Sequence, residues 1–91
     1  MDKSTLTVIH SEASSRFEVH VESHIAELAY ILKEGIITFT HTGVPSALEG
    51  NGVGSMLVKA GLEYARNKNL KVESLCWFVS GYIQRHPESV K

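Results

Sequence analysis

The sequence predicts an α+β fold: a mostly antiparallel sheet, one crossover helix packed on it, and a second helix near the C-terminus. Three observations carry that expectation. Four short runs of alternating apolar and polar residues lie between residues 5 and 42, with turns of only a few residues between them. Connections that short join antiparallel neighbours. A glycine turn, Gly50–Gly54, then opens an amphipathic run of helical spacing, and another alternating run follows it. A strand, helix and strand in that order set the last strand parallel to the one before the helix.

Thr5 to His10 reads as the first strand, with Leu6, Val8 and His10 on one face. Ser11–Ser15 is a polar turn. Arg16 to Glu22 alternates strictly, Phe17, Val19 and Val21 against Arg16, Glu18, His20 and Glu22. That is the pattern of a strand with one buried face. After a corner at Ser23–His24, Ile25 to Lys33 continues as a strand with Ala26, Leu28, Tyr30 and Leu32 in phase. Glu34–Gly35 turns the chain into Ile36 to Thr42, a β-branched run with Ile37, Phe39 and His41 on one side. Pro45 ends the meander because it lacks an amide donor and restricts its predecessor.

In the helical run Val53, Leu57, Ala60, Gly61 and Tyr64 share a face, with Lys59, Glu63 and Arg66 outside. Asn67–Lys68–Asn69 closes it. Leu70 to Cys76 reads as the last strand, with Val72, Ser74 and Cys76 in phase. Phe78 to Arg85 is a short helix broken at Pro87.

Composition narrows the function classes. The chain has 91 residues, 43% hydrophobic and 21% charged, enough for one small core. Net charge is −1 and no Lys/Arg run exists, which argues against a nucleic-acid surface. No apolar run reaches the roughly 18 residues of a membrane span. The first five residues lack the apolar centre of a signal peptide. Cys76 is the one cysteine and no CxxC pair exists, so the expected compartment is the cytoplasm. His10, His20, His24 and His86 have no ligand-like spacing with Cys76 or each other, and no metal is expected.

The glycine turn, Glu49-Gly50-Asn51-Gly52-Val53-Gly54, is the feature that composition does not explain. Each glycine in a first helical turn costs about 1 kcal/mol against alanine. Helix N-termini carry unpaired amides and partial positive charge, so a bare backbone there suits an anion such as phosphate. A P-loop requires Lys-Ser/Thr after its last glycine, whereas Ser55-Met56 follows Gly54. A dinucleotide fingerprint fails at Ser55, and four antiparallel strands precede the turn where a repeated βαβ belongs.

Glu49 to Leu57 resembles the coenzyme A loop of GNAT-type N-acetyltransferases, whose pattern runs Gln/Arg-x-x-Gly-x-Gly/Ala, most often as Arg-Gly-x-Gly-Ile-Gly-x-x-Leu. It matches at every glycine, at Val53 and at the leucine, and departs where Glu49 replaces Arg or Gln. A carboxylate beside a pyrophosphate is unfavourable, so Glu49 is expected to point away. Further on, Tyr82-Ile83-Gln84-Arg85-His86-Pro87 stands in the place of the family's Tyr-x-x-x-Gly-Phe, keeping only the tyrosine. The resemblance covers roughly residues 25–87, and Cys76 to Pro87 looks like a small stand-alone subfamily. It implies one minimal GNAT-like domain over residues 1–91. The two helices that usually wall the acceptor site are replaced by Ser11–Ser15.

From the resemblance follow acetyl-CoA as cosubstrate and a set of expected site residues. Gly50, Asn51, Gly52, Val53, Gly54 and Ser55 would hold the pyrophosphate. The strand edge beyond His41, at Val44, would pair with the pantetheine amides. Acyl transfer needs an acid, a base and donors for the carbonyl oxygen. Tyr82 is the candidate acid, a phenol's ordinary pKa of about 10 suiting a thiolate leaving group; otherwise it is a packing tyrosine. Cys76 would accept the acetyl group or simply line the pocket, and His41 is the candidate base or a histidine at a strand end. Trp77 and Phe78 are expected in the core. The acceptor is an amine of unknown identity, on a protein or peptide or completed by a partner subunit. A non-catalytic module that binds or senses acyl-CoA is the alternative.

Overall fold

The computed structural model describes residues 6–90, so Thr5, the expected start of the first strand, lies outside it. Five strands form one mixed sheet in the order of the chain. They are β1 Val8–Ser11, β2 Arg16–Val21, β3 His24–Lys33, β4 Ile36–Gly43 and β5 Lys71–Ser74. The first three pairings are antiparallel and β4–β5 is parallel. Helix α1 spans Val53–Asn67 and α2 spans Trp77–Arg85. Short 3-10 turns at Ser46–Leu48 and Pro87–Val90 complete the chain, the second where a simple break was expected. The predicted α+β architecture is the observed one.

The tight turns have a common device. Glu34 and Gly35 both take positive φ (53° and 79°), the geometry of a two-residue type I′ hairpin. Val21 pairs directly with His24 across Glu22–Ser23. Helix α1 ends in a Schellman motif: Asn69 is left-handed, its amide donates to Arg66 O, and the Leu70 amide donates to Ala65 O at 2.8 Å.

The core lies between the sheet and the two helices. Phe17, Val19, Ala26, Leu28, Ile37 and Phe39 present one sheet face to Leu57, Val58, Leu62 and Ala65 of α1. Gly61 brings the helix close, since a β-carbon there would lie 2.8 Å from Phe39 Cε1 and 3.1 Å from Leu28 Cδ2. Helix α2 joins the same side, with Val79 fully buried and Phe78 against Gly54.

Three expectations about phase are corrected. Tyr30 pairs with Phe39 but Ala29 pairs with His41, so Thr40 has no partner and β4 carries a bulge. Beyond the bulge the alternation inverts: His41 shares the outer face with Ala29, and Thr42 shares the core face with Leu28. His41 is therefore not in phase with Phe39. Leu32 is 43% exposed although it pairs with the buried Ile37, because β2 reaches no further along β3 than Ala29 and leaves the hairpin end without a neighbour on that side. The last strand stops at Ser74, so Cys76 is not part of it; Cys76 is the N-cap of α2, in extended conformation.

On the outer face Glu18 pairs across the sheet with Glu27, a like-charge contact. Arg16 relieves it, with Nη2 2.8 Å from Glu18 Oε2 and Nη1 3.1 Å from Glu27 Oε1. His20 Nε2 adds a 2.8 Å contact to Glu18 Oε1. That imidazole hydrogen bond, ahead of Arg16, holds the Glu18 carboxyl below its ordinary value, against the opposing effect of burial. A depressed carboxyl adds stability above its unfolded value and loses it as pH falls through the folded one. Glu18→Gln should therefore destabilise near neutral pH, and the difference in urea midpoint should shrink as pH falls through the lowered carboxyl value. Gly61→Val should cost about 1–3 kcal/mol by overpacking against Phe39, read as a lower urea midpoint at unchanged slope.

Candidate functional site

The pairing of β4 with β5 ends at Phe39↔Ser74, followed by one further bond from the Leu75 amide to Phe39 O at 2.9 Å. From Thr40 onward β4 runs alone on that side while residues 75–77 turn away into α2. The gap is a cavity of about 610 Å³. Thr40, His41 and Thr42 line it consecutively with Val44, although their side chains alternate between faces. The cavity therefore follows the free edge of β4, where unpaired backbone donors and acceptors are available to an extended ligand.

The other wall is the glycine turn. Leu48, 2% exposed, anchors it in the core, and Asn51 Nδ2 ties it by 3.2 Å hydrogen bonds to the carbonyls of Leu48 and Glu49. Gly52 is the N-cap of α1 with φ 74°, a left-handed conformation that a side chain would strain. Gly54 is needed for a different reason, since a β-carbon there would sit 2.8 Å from Phe78 Cζ. No side chain caps α1 and its first turn has no acidic residue. The amides of Val53, Gly54 and Ser55 thus lack both an intrahelical and a side-chain partner, and these three residues line the cavity at the positive end of the helix dipole. The lining contains no Lys or Arg, so an anion here would rely on backbone amides.

Cys76 closes the inner end, 7% exposed. Its Sγ lies 3.4 Å from Thr42 Oγ1. Burial pushes the thiol up, but hydrogen bonds from the Thr42 side chain and from backbone amides, Val79 and Phe78 among them, outweigh it and bring the thiol below its usual value. Ser74 Oγ donates to Cys76 O at 2.9 Å and fixes the chain entering α2.

Of the residues expected at the site, His41, Val44, Gly50, Gly52, Val53, Gly54, Ser55 and Cys76 line this one cavity. Asn51 does not, its side chain being turned back on the loop. Tyr82 does not either; its ring packs 4.6 Å from that of His86 and against the core. Glu49 lines the cavity on an exposed turn. Trp77, expected in the core, is 84% exposed at the rim beside Leu75 at 77%, and the fully buried position of α2 is Val79. Thr42 was missed. Only a bulge turns it towards Cys76, and nothing in an even run of threonines signals one. Phe78 was read as core, yet it forms part of the wall through its contact with Gly54.

The family model of GCN5-related N-acetyl-transferases matches residues 16–91. Among curated proteins, Protein NATD1 of Xenopus tropicalis is 27% identical over 88 residues, covering 92% of this chain and 80% of its own length. Protein NATD1 of Homo sapiens is 35% identical over 52 residues, 57% of this chain. That match spans 46% of the human protein, less than half its length. Among solved structures, the NMR solution structure of a GCN5-like protein from Staphylococcus aureus superposes with a TM-score of 0.72 and 31% identity. It covers 94% of this chain and 85% of that one.

Thr42→Val should remove one hydrogen bond from the Cys76 sulfur. The pH at which the thiol becomes reactive to iodoacetamide should then rise, whereas an unchanged profile would mean that Thr42 does not tune it.

Proposed function

The chain belongs to the GCN5-related N-acetyltransferase family, and on that premise we propose that it binds acetyl-CoA in the cavity between β4, the glycine turn and α2, and transfers the acetyl group to an amine. The observation that carries this reading is the uncapped N-terminus of α1: three free amides, opened by Gly52 and Gly54, stand at one end of a cavity that runs along an unpaired strand edge. Pyrophosphate suits the amides and dipole. The two amide groups of pantetheine suit the backbone of Thr40 to Val44 in the manner of an added strand.

Acetyl-CoA would supply an acyl group activated by a thiol leaving group. The acceptor ammonium gives its proton to a base, for which His41 at the mouth is the candidate. The free amine then forms a carbon–nitrogen bond as the carbon–sulfur bond breaks, and the departing thiolate takes up a proton. Thr42 and Cys76 are the hydrogen-bonding groups at the inner end of the cavity. Tyr82 remains a candidate acid only if its hydroxyl turns in towards the thioester. Its position outside the lining favours a second reading, in which the chain binds or senses acyl-CoA without turning it over.

Calorimetry with CoA and acetyl-CoA tests the cofactor, and an amine panel scored by thiol release separates enzyme from sensor. Gly52→Asp should weaken binding at least about a hundredfold, since it adds both a strained backbone and a carboxylate at the phosphate position. Unchanged affinity in that variant would remove the glycine turn from the site.

A further inference from the structure

The bulge at Thr40 brings together three residues from two strands on the outer face. Register sets Glu27 opposite Gly43 and Ala29 opposite His41, so Glu27, Gly43 and His41 are neighbours on the outer face, and His41 also lines the cavity. Gly43 leaves a notch between the other two. A β-carbon there would lie 3.1 Å from His41 Nε2 and 3.7 Å from Glu27 Oε2. The two oxygens of Glu27 are engaged differently. Oε1 is held at 3.1 Å by Arg16 Nη1, while Oε2 faces the notch. Arg16 is braced in turn by Glu18, and Glu18 by His20, which fixes the carboxylate without using its free oxygen. Neither helix covers this side, since both pack on the core face.

We propose that Glu27 is the residue that receives the acceptor amine, binding its ammonium group through Oε2 beside His41 Nε2 at the Gly43 notch. The assignment rests on the acyl-transfer reading above and adds to it the residue that receives the ammonium and its side of approach, the helix-free face. A charged hydrogen bond to Oε2 holds the nitrogen while one N–H proton passes to His41 Nε2. The neutral amine that results is free to attack the thioester carbonyl carbon along the β4 edge. Gly43 is required because any side chain would fill the place where the ammonium and imidazole meet.

The probe is n-butylammonium chloride, titrated into the full chain with and without saturating CoA and followed by the NMR signals of the Gly43 amide and the His41 imidazole. Those signals should move in the wild type, and Glu27→Gln should weaken the apparent affinity about tenfold or more, the usual effect of losing one charged hydrogen bond. Glutamine keeps an oxygen for Arg16, and amide signals distant from the notch should stay in place. Gly43→Ala should give a similar loss by filling the notch with the charges intact. Any amine that turns over should show the Glu27→Gln effect in KM, with acetyl-CoA affinity unchanged. Wild-type signals that stay still, shifts that persist in Glu27→Gln, or an equal fall in acetyl-CoA affinity would each overturn the assignment. Failure of CoA to bind at all would sink the acyl-transfer reading instead, while the amine titration would still report on Glu27.

Discussion

Phe39 is the residue on which the arrangement turns. It occupies the last matched pair of the parallel β4–β5 ladder, and its carbonyl takes the final bond from Leu75. Its ring, fully buried, fills the space under Gly61 and meets Tyr30 edge-on at 6.5 Å. One position thus fixes where α1 sits on the sheet and where two strands stop pairing. The bulge begins at the next residue. Cavity, strand edge and outer-face notch all lie downstream of that point, which is why the site is a property of the sheet's geometry more than of any one loop.

Much of this was legible in the sequence because it follows local periodicity. Strict alternation in Phe17, Val19 and Val21, and the shared phase of Ala26, Leu28 and Tyr30, reports a buried face directly. The glycine turn was legible as a bare backbone leading straight into a helix, because Val53 and Leu57 take up helical spacing with no break after it. The separate reasons for its glycines were not legible. Gly52 answers to a backbone angle, whereas Gly54 answers to a ring that arrives from 24 positions later in the chain. A run of alternating β-branched residues likewise looks the same with or without a bulge, so the faces of His41 and Thr42 had to be read from the register of another strand. Cys76 was misjudged for a related reason. Its expected strand ends when the partner strand diverges, and that divergence is a tertiary event.

The two sheet faces divide the labour. The core face carries both helices, the glycine turn and the sulfur of Cys76, and its chemistry is that of backbone amides and one tuned thiol. The outer face carries charge: Arg16 shared between two opposed carboxylates, with histidines at either side. Groups so arranged hold one another in place, and the contacts favour the ionised form of Glu18. Here Ser11–Ser15 is a turn, and among the described residues neither helix packs on that face.

Trp77 gives that geometry an optical counterpart. It is the single tryptophan of the chain and stands at the cavity rim, edge-on to Phe78 at 5.9 Å, with most of its indole in water. All indole emission from this protein therefore originates at one location, a few ångströms from the entrance, with no second fluorophore of its kind to dilute it. The fold has installed a native reporter dye at the door of its own cavity, and its colour and lifetime record whatever enters without any label being attached.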